Sequence, residues 1–222
     1  MIPKVIHFCW FGGKEKSALI QACILSWEKY LPDWEIKLWN EENSPMDHPF
    51  IKKAMREKKY AFVADYVRCY ALYSEGGVYL DTDMEIIKDI SPLLKYDFFS
   101  AYEDSDTNKI SCGIIGAIKE HELMEKMLHY YDENNNYYEL IPQILGRKYK
   151  ECNKINSKIL SSDSFYPYNP FDSKKPVKQF MYSHITPNTY GIHHWGYSWK
   201  FSFYEKLLNK LRKIYNIKYI NG

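Results

Sequence analysis

Several features that would assign this chain to a broad class of protein are missing from its sequence. Its five cysteines are scattered with no C-x-x-C spacing, which excludes a zinc ribbon and gives no disulfide framework, so we expect reduced thiols. No run approaches the ~20 apolar residues of a membrane span. The formal net charge is only +2, and nothing global therefore points to a nucleic acid partner.

The chain also lacks a recognisable leader and internal linkers. Its first residues, MIPKVIHFCWFGG, place a proline and a histidine where a secretion signal would have an apolar run. We therefore expect a cytoplasmic protein. Without internal repeats or linkers rich in glycine, serine or proline, the 222 residues predict one α/β domain over 1–200, followed by a basic segment over 201–222.

Hydrophobic periodicity predicts alternating strands and helices from the N-terminus onward. The opening reads as a strand before Gly12, a helix over 17–30 and the strand WEIKLWN. A helical crossover of this length is typical of a parallel or mostly parallel sheet. Helices over 47–59 and 61–75 follow, and Gly76-Gly77 marks the end of the second one.

Beyond the glycine pair, the pattern predicts four more strand regions and two more helices. The strands are VYLDTDMEII, which runs on past its acids, FFSAYED, CGIIGAIK, and a strand, turn and strand over 179–200. The helices cover 122–135 and 203–219, and the weakly patterned stretch over 140–172 receives no assignment.

Two aspartates, Asp81 and Asp83, follow directly behind an apolar strand pattern. Like charges at this spacing cost free energy unless a cation neutralises them. Mg²⁺ and Mn²⁺ prefer oxygen ligands, often one or two carboxylates together with substrate phosphates. A turn with solvated acids is the alternative, and a bare D-x-D motif is too common to decide between the two.

One helix earlier, Asp65 and Arg68 lie three residues apart and therefore on the same helix face. They are either a surface ion pair worth less than about 1 kcal/mol or part of a cleft. Because most of that helix is apolar, its charges are expected to be paired or to face a cleft.

Two aromatic segments offer further candidates. In HHWGYSW, residues 193–199, histidine is a possible metal ligand, and Ser198 or an indole N–H suits a phosphate oxygen. Trp10 stands where a strand ends, and an exposed aromatic ring there could stack on a nucleobase. An aromatic hairpin and a core tryptophan are the alternatives.

The order of these motifs along one chain resembles a known family. IPKVIHFCWFGG, YAFVADYVRCYALYSEGGVYLDTDMEII and NTYGIHHWGYSW are similar to the DXD-containing glycosyltransferases of family 32 and of capsular polysaccharide synthesis. They are distantly similar to the glucosylating domains of clostridial toxins. The resemblance runs from Ile2 to Trp199, and its specific part is A-x-x-x-D-x-x-R followed by G-G-x-Y-x-D-x-D.

The resemblance implies an α/β structure of the GT-A type and a hexosyltransferase that retains the anomeric configuration. It implies Mn²⁺ or Mg²⁺ and a nucleotide-diphosphate sugar as donor, with a UDP-sugar as the commonest choice. Asp83 is then the direct metal ligand, Asp81 contacts the donor or reaches the metal through water, and His194 completes the metal shell. Asp65 and Arg68 are expected to bind the transferred sugar.

The same resemblance assigns the nucleotide side of the site. Trp10 would stack on the base, His7 would hold the strand end beside it, and Tyr79 would line the nucleotide. Ser198 and Trp199 would close over the diphosphate.

The resemblance implies a saccharide acceptor, either undecaprenyl-linked or a growing capsular or surface polysaccharide. The basic C-terminal segment would place the enzyme at the inner face of the cell membrane. Two alternatives remain open: a toxin-like protein glycosyltransferase and a catalytically silent nucleotide-sugar-binding protein. A nucleotidyltransferase or metal phosphohydrolase is disfavoured, because the chain has no glycine-rich phosphate loop bearing lysine or arginine.

The C-terminal segment is basic and has a regular apolar pattern. Between Lys200 and Gly222 the only acid is Glu205, against six lysines and arginines. Apolar positions fall largely on one side of the predicted helix, as in a helix that lies on an anionic leaflet. A helix packed on its own domain, with a solvated basic face, is the alternative.

The membrane hypothesis predicts that deletion of residues 203–222 weakens binding to anionic liposomes. The deletion removes basic side chains that are attracted to the surface and apolar ones that insert into it. Co-sedimentation with vesicles measures the effect, with neutral vesicles as the control. Unchanged binding to anionic vesicles would leave only the packed helix.

Overall fold

A six-stranded sheet forms the centre of the protein in a computed structural model, which describes residues 1–105, 109–152, 156–170 and 181–196. The strands are β1 (Val5–Cys9), β2 (Glu35–Trp39), β3 (Gly77–Leu80), β4 (Met84–Ile86), β5 (Phe98–Ala101), β6 (Ile114–Ala117), β7 (Ser157–Leu160) and β8 (Gly191–His193). The helices are α1 (Ala18–Tyr30), α2 (Pro49–Arg56), α3 (Tyr60–Glu75), α4 (Glu122–Glu133) and α5 (Ile141–Glu151).

The strand order in the sheet is β2-β1-β3-β6-β5-β7. β2, β1 and β3 are mutually parallel, β5 and β7 are parallel, and β6 is antiparallel to both of its neighbours. Five strands therefore point the same way, and their carboxyl ends meet at one edge. Ligands of open α/β sheets bind at this edge, where Trp10 follows β1 and Asp81 follows β3. The predicted mostly parallel α/β sheet is confirmed.

Successive residues of each strand face two different hydrophobic layers, as a pleated strand requires. In β3, Tyr79 packs with the layer formed by α2, α3, α4 and α5. Val78 and Leu80 pack on the other side, against Trp27 of α1. Ser17 begins α1 by accepting a hydrogen bond from the N–H of Ile20. All five cysteines are free thiols, as the sequence predicts.

The region predicted as one long strand, VYLDTDMEII, is two strands in different sheets. β3 ends at Leu80, and the N–H of Met84 then bonds to the carbonyl of Asp81 at 2.9 Å, which closes a turn. β4 continues beyond the turn and pairs with β8 in a separate two-stranded ribbon. The turn takes the carboxylates of Asp81 and Asp83 out of the buried sheet, where unpaired charges are costly.

Three other elements, α5, β7 and a 3₁₀ helix, are not predicted from the sequence pattern. The weakly patterned stretch contains α5 and β7, and residues 181–184, predicted as strand, form a 3₁₀ helix. The predicted helix over 203–219 and the domain boundary at residue 200 lie outside the described residues. Within the described ranges, no helix combines the length and apolar character that a bilayer crossing demands.

Gly77 begins β3 in a backbone conformation that a side chain resists. Its φ is +112°, and a Cβ there would lie 2.8 Å from the carbonyl oxygen of Val5. We predict that Gly77→Ala lowers the free energy of unfolding by about 1–3 kcal/mol, measured by urea denaturation. The matched control is Gly146→Ala within α5, where a Cβ meets nothing within 4 Å and alanine favours the helix by about 1 kcal/mol. Equal effects of the two substitutions would contradict this account.

Candidate active site

The turn after β3 and the end of β8 bring two acids and a histidine together. The Nε2 atom of His193 lies 3.2 Å from Oδ1 of Asp83 and 3.8 Å from Oδ2 of Asp81. One ligand atom from each of these residues lies within 4.8 Å of the other two. His193 is more than a hundred residues away from the two acids in the sequence, so the fold creates this cluster.

The cluster fits a divalent cation. Two ligand atoms at right angles on an octahedral cation, with bonds of about 2.1 Å, lie about 3 Å apart. The separations of 3.2 and 3.8 Å need only a small adjustment to reach that value. Two carboxylate oxygens and one imidazole nitrogen suit Mn²⁺ or Mg²⁺, with water or phosphate oxygens in the remaining positions.

Asp83 is held as a carboxylate from several directions. Its Oδ2 accepts a hydrogen bond from the N–H of Gly196 at 2.6 Å, and its carbonyl accepts one from the N–H of His194 at 3.0 Å. Burial raises the pKa of Asp83, but the hydrogen bond and charge of His193, with the Gly196 N–H, outweigh it and lower the pKa to about 2. Asp83 therefore remains negative at neutral pH.

A buried arginine connects the acids of α3 and of the turn. The Nη2 atom of Arg68 lies 2.9 Å from Oδ1 of Asp65, and its Nη1 lies 3.2 Å from Oδ1 of Asp81. The Arg68 side chain is only 6% exposed. The surface-pair interpretation is therefore wrong, because a surface ion pair would be solvated. Asp81 places one carboxylate oxygen towards Arg68 and the other towards His193.

Arg68 is fixed in place by its surroundings. Nη1 donates to the carbonyl of Cys112 at 2.6 Å, Nε donates to the carbonyl of Ala64 at 3.4 Å, and the guanidinium lies 4.4 Å from the ring centre of Tyr79. Burial lowers the pKa of Arg68, but Tyr79, Asp81 and the other nearby groups raise it well above the ordinary value. The arginine is thus a permanent positive charge beneath the site.

The site contains residues that the sequence analysis misses. The hydroxyl of Tyr166 bonds to Ser111, and a Cβ on Gly113 would lie 2.7 Å from that hydroxyl and 3.2 Å from Oδ2 of Asp81. Gly113 thus allows Tyr166 and Asp81 to approach each other, and its carbonyl accepts the N–H of Asp81 at 2.8 Å. Tyr166 lies in a stretch without periodicity, so nothing in the sequence pattern marks it.

The histidine at the acids is His193, whereas the sequence analysis predicts His194. Nε2 of His194 lies 2.8 Å from Oε2 of Glu85 instead. Adjacent residues at a strand end point to opposite faces, so only one of the two imidazoles can reach Asp83. The register of β8 on β4, which pairs His193 with Met84, decides which one it is.

The remaining predicted residues occupy different positions relative to the cluster. His7 is fully buried in β1. Its Nδ1 accepts a hydrogen bond from Trp39 of β2 at 3.0 Å, and its Nε2 lies 2.7 Å from the carbonyl oxygen of Gly76, just before β3. His7 therefore links β1 to the segments on either side of it. Tyr79 is buried beneath Arg68. Trp10 is half-buried at the carboxyl end of β1, and its indole N–H donates to the carbonyl of Lys14 at 2.6 Å.

The predicted lid residues Ser198 and Trp199 lie outside the described residues. The predicted stacking of Trp10 on a base and the predicted contact of Tyr79 with the nucleotide stay predictions.

Part of the chain matches a known protein family and known relatives. Residues 17–100 match the family described as "Glycosyltransferase sugar-binding region containing DXD motif". The matched segment includes Asp65, Arg68, Asp81 and Asp83. Inositol phosphoceramide mannosyltransferase 3 of Schizosaccharomyces pombe is 30% identical over 131 residues, which are 55% of this chain and 35% of that protein. The chain spans 35% to 41% of the length of the yeast relatives that it matches.

Solved glycosyltransferases share the fold. The PaToxG glycosyltransferase superimposes with a TM-score of 0.53 at 18% identity, over 68% of this chain and 69% of that one. The galactosyltransferase LgtC, in complex with donor and acceptor sugar analogues, does so with a TM-score of 0.52 at 13% identity, over 87% of this chain and 88% of that one. The fold is GT-A. The family match supports the prediction of a glycosyltransferase.

Removal of the Arg68 charge leaves two acids without their partner. We predict that Arg68→Leu lowers the free energy of unfolding by about 3–5 kcal/mol, because Asp65 is left buried without its partner. Urea denaturation measures this loss of stability.

The double variant Asp65→Leu with Arg68→Leu should recover part of the lost stability. The control is Lys126→Leu, which breaks an exposed pair with Glu122 and should cost less than about 1 kcal/mol. Similar losses in both single variants would contradict the buried pair.

Proposed function

We propose that this protein is a metal-dependent retaining glycosyltransferase that moves a hexose from a nucleotide-diphosphate sugar to a saccharide acceptor. The observation that carries the proposal is the convergence of Asp81, Asp83 and His193 at the carboxyl edge of the sheet, with Arg68 directly behind Asp81. A solvated D-x-D turn would need neither the buried arginine nor the histidine.

Each residue of the site has a task in this reaction. Asp81, Asp83 and His193 would hold Mn²⁺ or Mg²⁺, which when bound stabilises the negative charge that develops on the departing diphosphate. Asp65 would accept hydrogen bonds from hydroxyls of the transferred sugar. Arg68 holds Asp65 and Asp81 at a fixed separation, and its charge favours an anionic donor beside them.

Retention is best explained by attack of the acceptor on the face from which the diphosphate leaves. A covalent intermediate would need a carboxylate that is free to act as a nucleophile. The carboxylates at the centre are instead engaged, Asp65 by Arg68 and Asp83 by His193 and Gly196. An acid that is held in this way is a poor nucleophile, which supports same-face attack.

The acceptor we propose is lipid-linked or a growing capsular or surface polysaccharide, bound at the inner face of the cell membrane. One matched relative is named as a mannosyltransferase of inositol phosphoceramide, which is a membrane lipid, and this supports a lipid-linked acceptor. The family resemblance favours a UDP-sugar as donor, and the name of that relative adds a mannosyl donor as the second candidate.

The test is donor hydrolysis and donor binding across UDP-, GDP- and dTDP-sugars, with and without Mn²⁺. We predict metal-dependent turnover of one donor and a loss of at least about a hundredfold in Asp83→Ala, because the direct metal ligand is removed. Asp33→Ala is the matched control, since Asp33 is exposed between α1 and β2 and its loss should leave turnover unchanged.

Two outcomes would contradict the proposal in different ways. Metal-dependent binding of a donor that never turns over, even with saccharide acceptors present, would indicate a silent nucleotide-sugar-binding protein. Failure to bind any donor would remove the proposed function altogether.

A further inference from the structure

The β4–β8 ribbon carries a hydrogen-bonded pair of side chains that the proposed function does not use. Nε2 of His194 lies 2.8 Å from Oε2 of Glu85, and the hydroxyl of Tyr182 donates to the same oxygen at 3.3 Å. The side chains of His194 and Glu85 are 10% and 25% exposed. Since β4 pairs Glu85 with Ile192, His194 is the diagonal neighbour of Glu85 on that face of the ribbon.

The chain around His194 forms one side of the cation site. The N–H of His194 bonds to the carbonyl of Asp83 at 3.0 Å. On either side along the chain, Nε2 of His193 lies 3.2 Å from Oδ1 of Asp83 and the N–H of Gly196 lies 2.6 Å from its Oδ2. Residues 193–196 thus wrap around Asp83. In the middle of this turn, the side chain of His194 is hydrogen-bonded to Glu85.

Both strands of the ribbon are anchored to other parts of the fold. β4 is anchored to α1, because the indole N–H of Trp27 donates to the carbonyl of Met84 at 2.6 Å and the N–H of Ile86 donates to Ser26 at 2.9 Å. β8 is tied in turn to residues 164–165, because the N–H groups of Tyr190 and His193 donate to the carbonyls of Ser164 at 2.8 Å and Phe165 at 3.1 Å. A short two-stranded ribbon is marginal on backbone pairing alone, and these bonds fix β8 only as far as His193. The side-chain link from Glu85 to His194 acts on the residues beyond it.

We propose that Glu85 and His194 are positioning residues that hold His193 and the Gly196 N–H around Asp83, the proposed cation ligand. The proposal rests on the cation site of the proposed function and adds two residues that never touch the cation. Their effect is transmitted through the backbone of residues 193–196. Partners that orient metal ligands typically change metal affinity by 10- to 100-fold when they are mutated.

The experiment is a Mn²⁺ titration of the full chain, in which the free ion is counted by electron paramagnetic resonance. Glu85→Gln and His194→Gln should each raise the dissociation constant roughly tenfold. The double variant should be no weaker than either single variant, because both break the same link. Glu28→Gln is the control: it removes an exposed acid of α1 and should change nothing.

The two single variants separate positioning from simple charge. Glu85→Gln removes a negative charge near the cation, whereas His194→Gln leaves that charge in place. An effect of charge alone would therefore weaken Mn²⁺ binding only in the Glu85 variant, and this outcome overturns the proposal. Glu85→Asp keeps the charge but shortens the reach to His194, so it should weaken binding as well, and it replaces Glu85→Gln if that variant unfolds.

A spectroscopic readout follows the position of His193 directly. In the wild-type protein, the bound Mn²⁺ should show a nitrogen hyperfine coupling that His193→Ala abolishes. The coupling should weaken in His194→Gln, and thermal melting would show that the domain is still folded. If the wild type binds no Mn²⁺, the proposed function itself fails. If it binds Mn²⁺ and both pair variants match it in affinity and coupling, only the positioning role fails.

Discussion

Two carboxylates held side by side at the end of a buried strand repel each other, and the architecture of this protein is arranged around that repulsion. Asp81 and Asp83 are compensated from two directions: Arg68 reaches Asp81 from α3, and His193 reaches both acids from the ribbon. Neither compensating group is near the acids in sequence. The helix and the ribbon must therefore both be in place before the turn can hold its two charges.

The helix side of this arrangement is the rigid one. α3 lies in the larger hydrophobic layer, and Arg68 is locked between Asp65, Asp81 and the carbonyl of Cys112, with its plane against Tyr79. A buried arginine with this many partners cannot move without breaking several charge-assisted hydrogen bonds. Asp65, which we propose binds the transferred sugar, and the turn are thus held by one group. This suits a reaction in which the sugar and its diphosphate must keep a fixed relation.

The ribbon side depends on distant parts of the chain. β4 and β8 are joined through a register that brings residues 84–86 against residues 191–193. This ribbon lies outside the main sheet and meets the carboxyl edge at Asp83. The helix side and the ribbon side of the site therefore come from separate parts of the fold.

Local spacing carries most of what the sequence reveals about this site. Asp65 and Arg68 share a helix face, and Asp81 and Asp83 follow a strand, so both pairs are visible without a structure. The choice between His193 and His194 depends on a pairing across more than a hundred residues, which no local pattern encodes. The turn at Asp81 is hidden because apolar residues flank the acids on both sides, and α5 and β7 lie in a stretch whose periodicity is weak.

The most direct test of this account is anomalous diffraction at the manganese absorption edge, on crystals of the full chain grown with Mn²⁺ and a nucleoside diphosphate. The account predicts one strong peak within coordination distance of Asp81 Oδ2, Asp83 Oδ1 and His193 Nε2, with diphosphate oxygens completing its shell. A peak that lies elsewhere, or diphosphate bound with no metal at these three atoms, would contradict it.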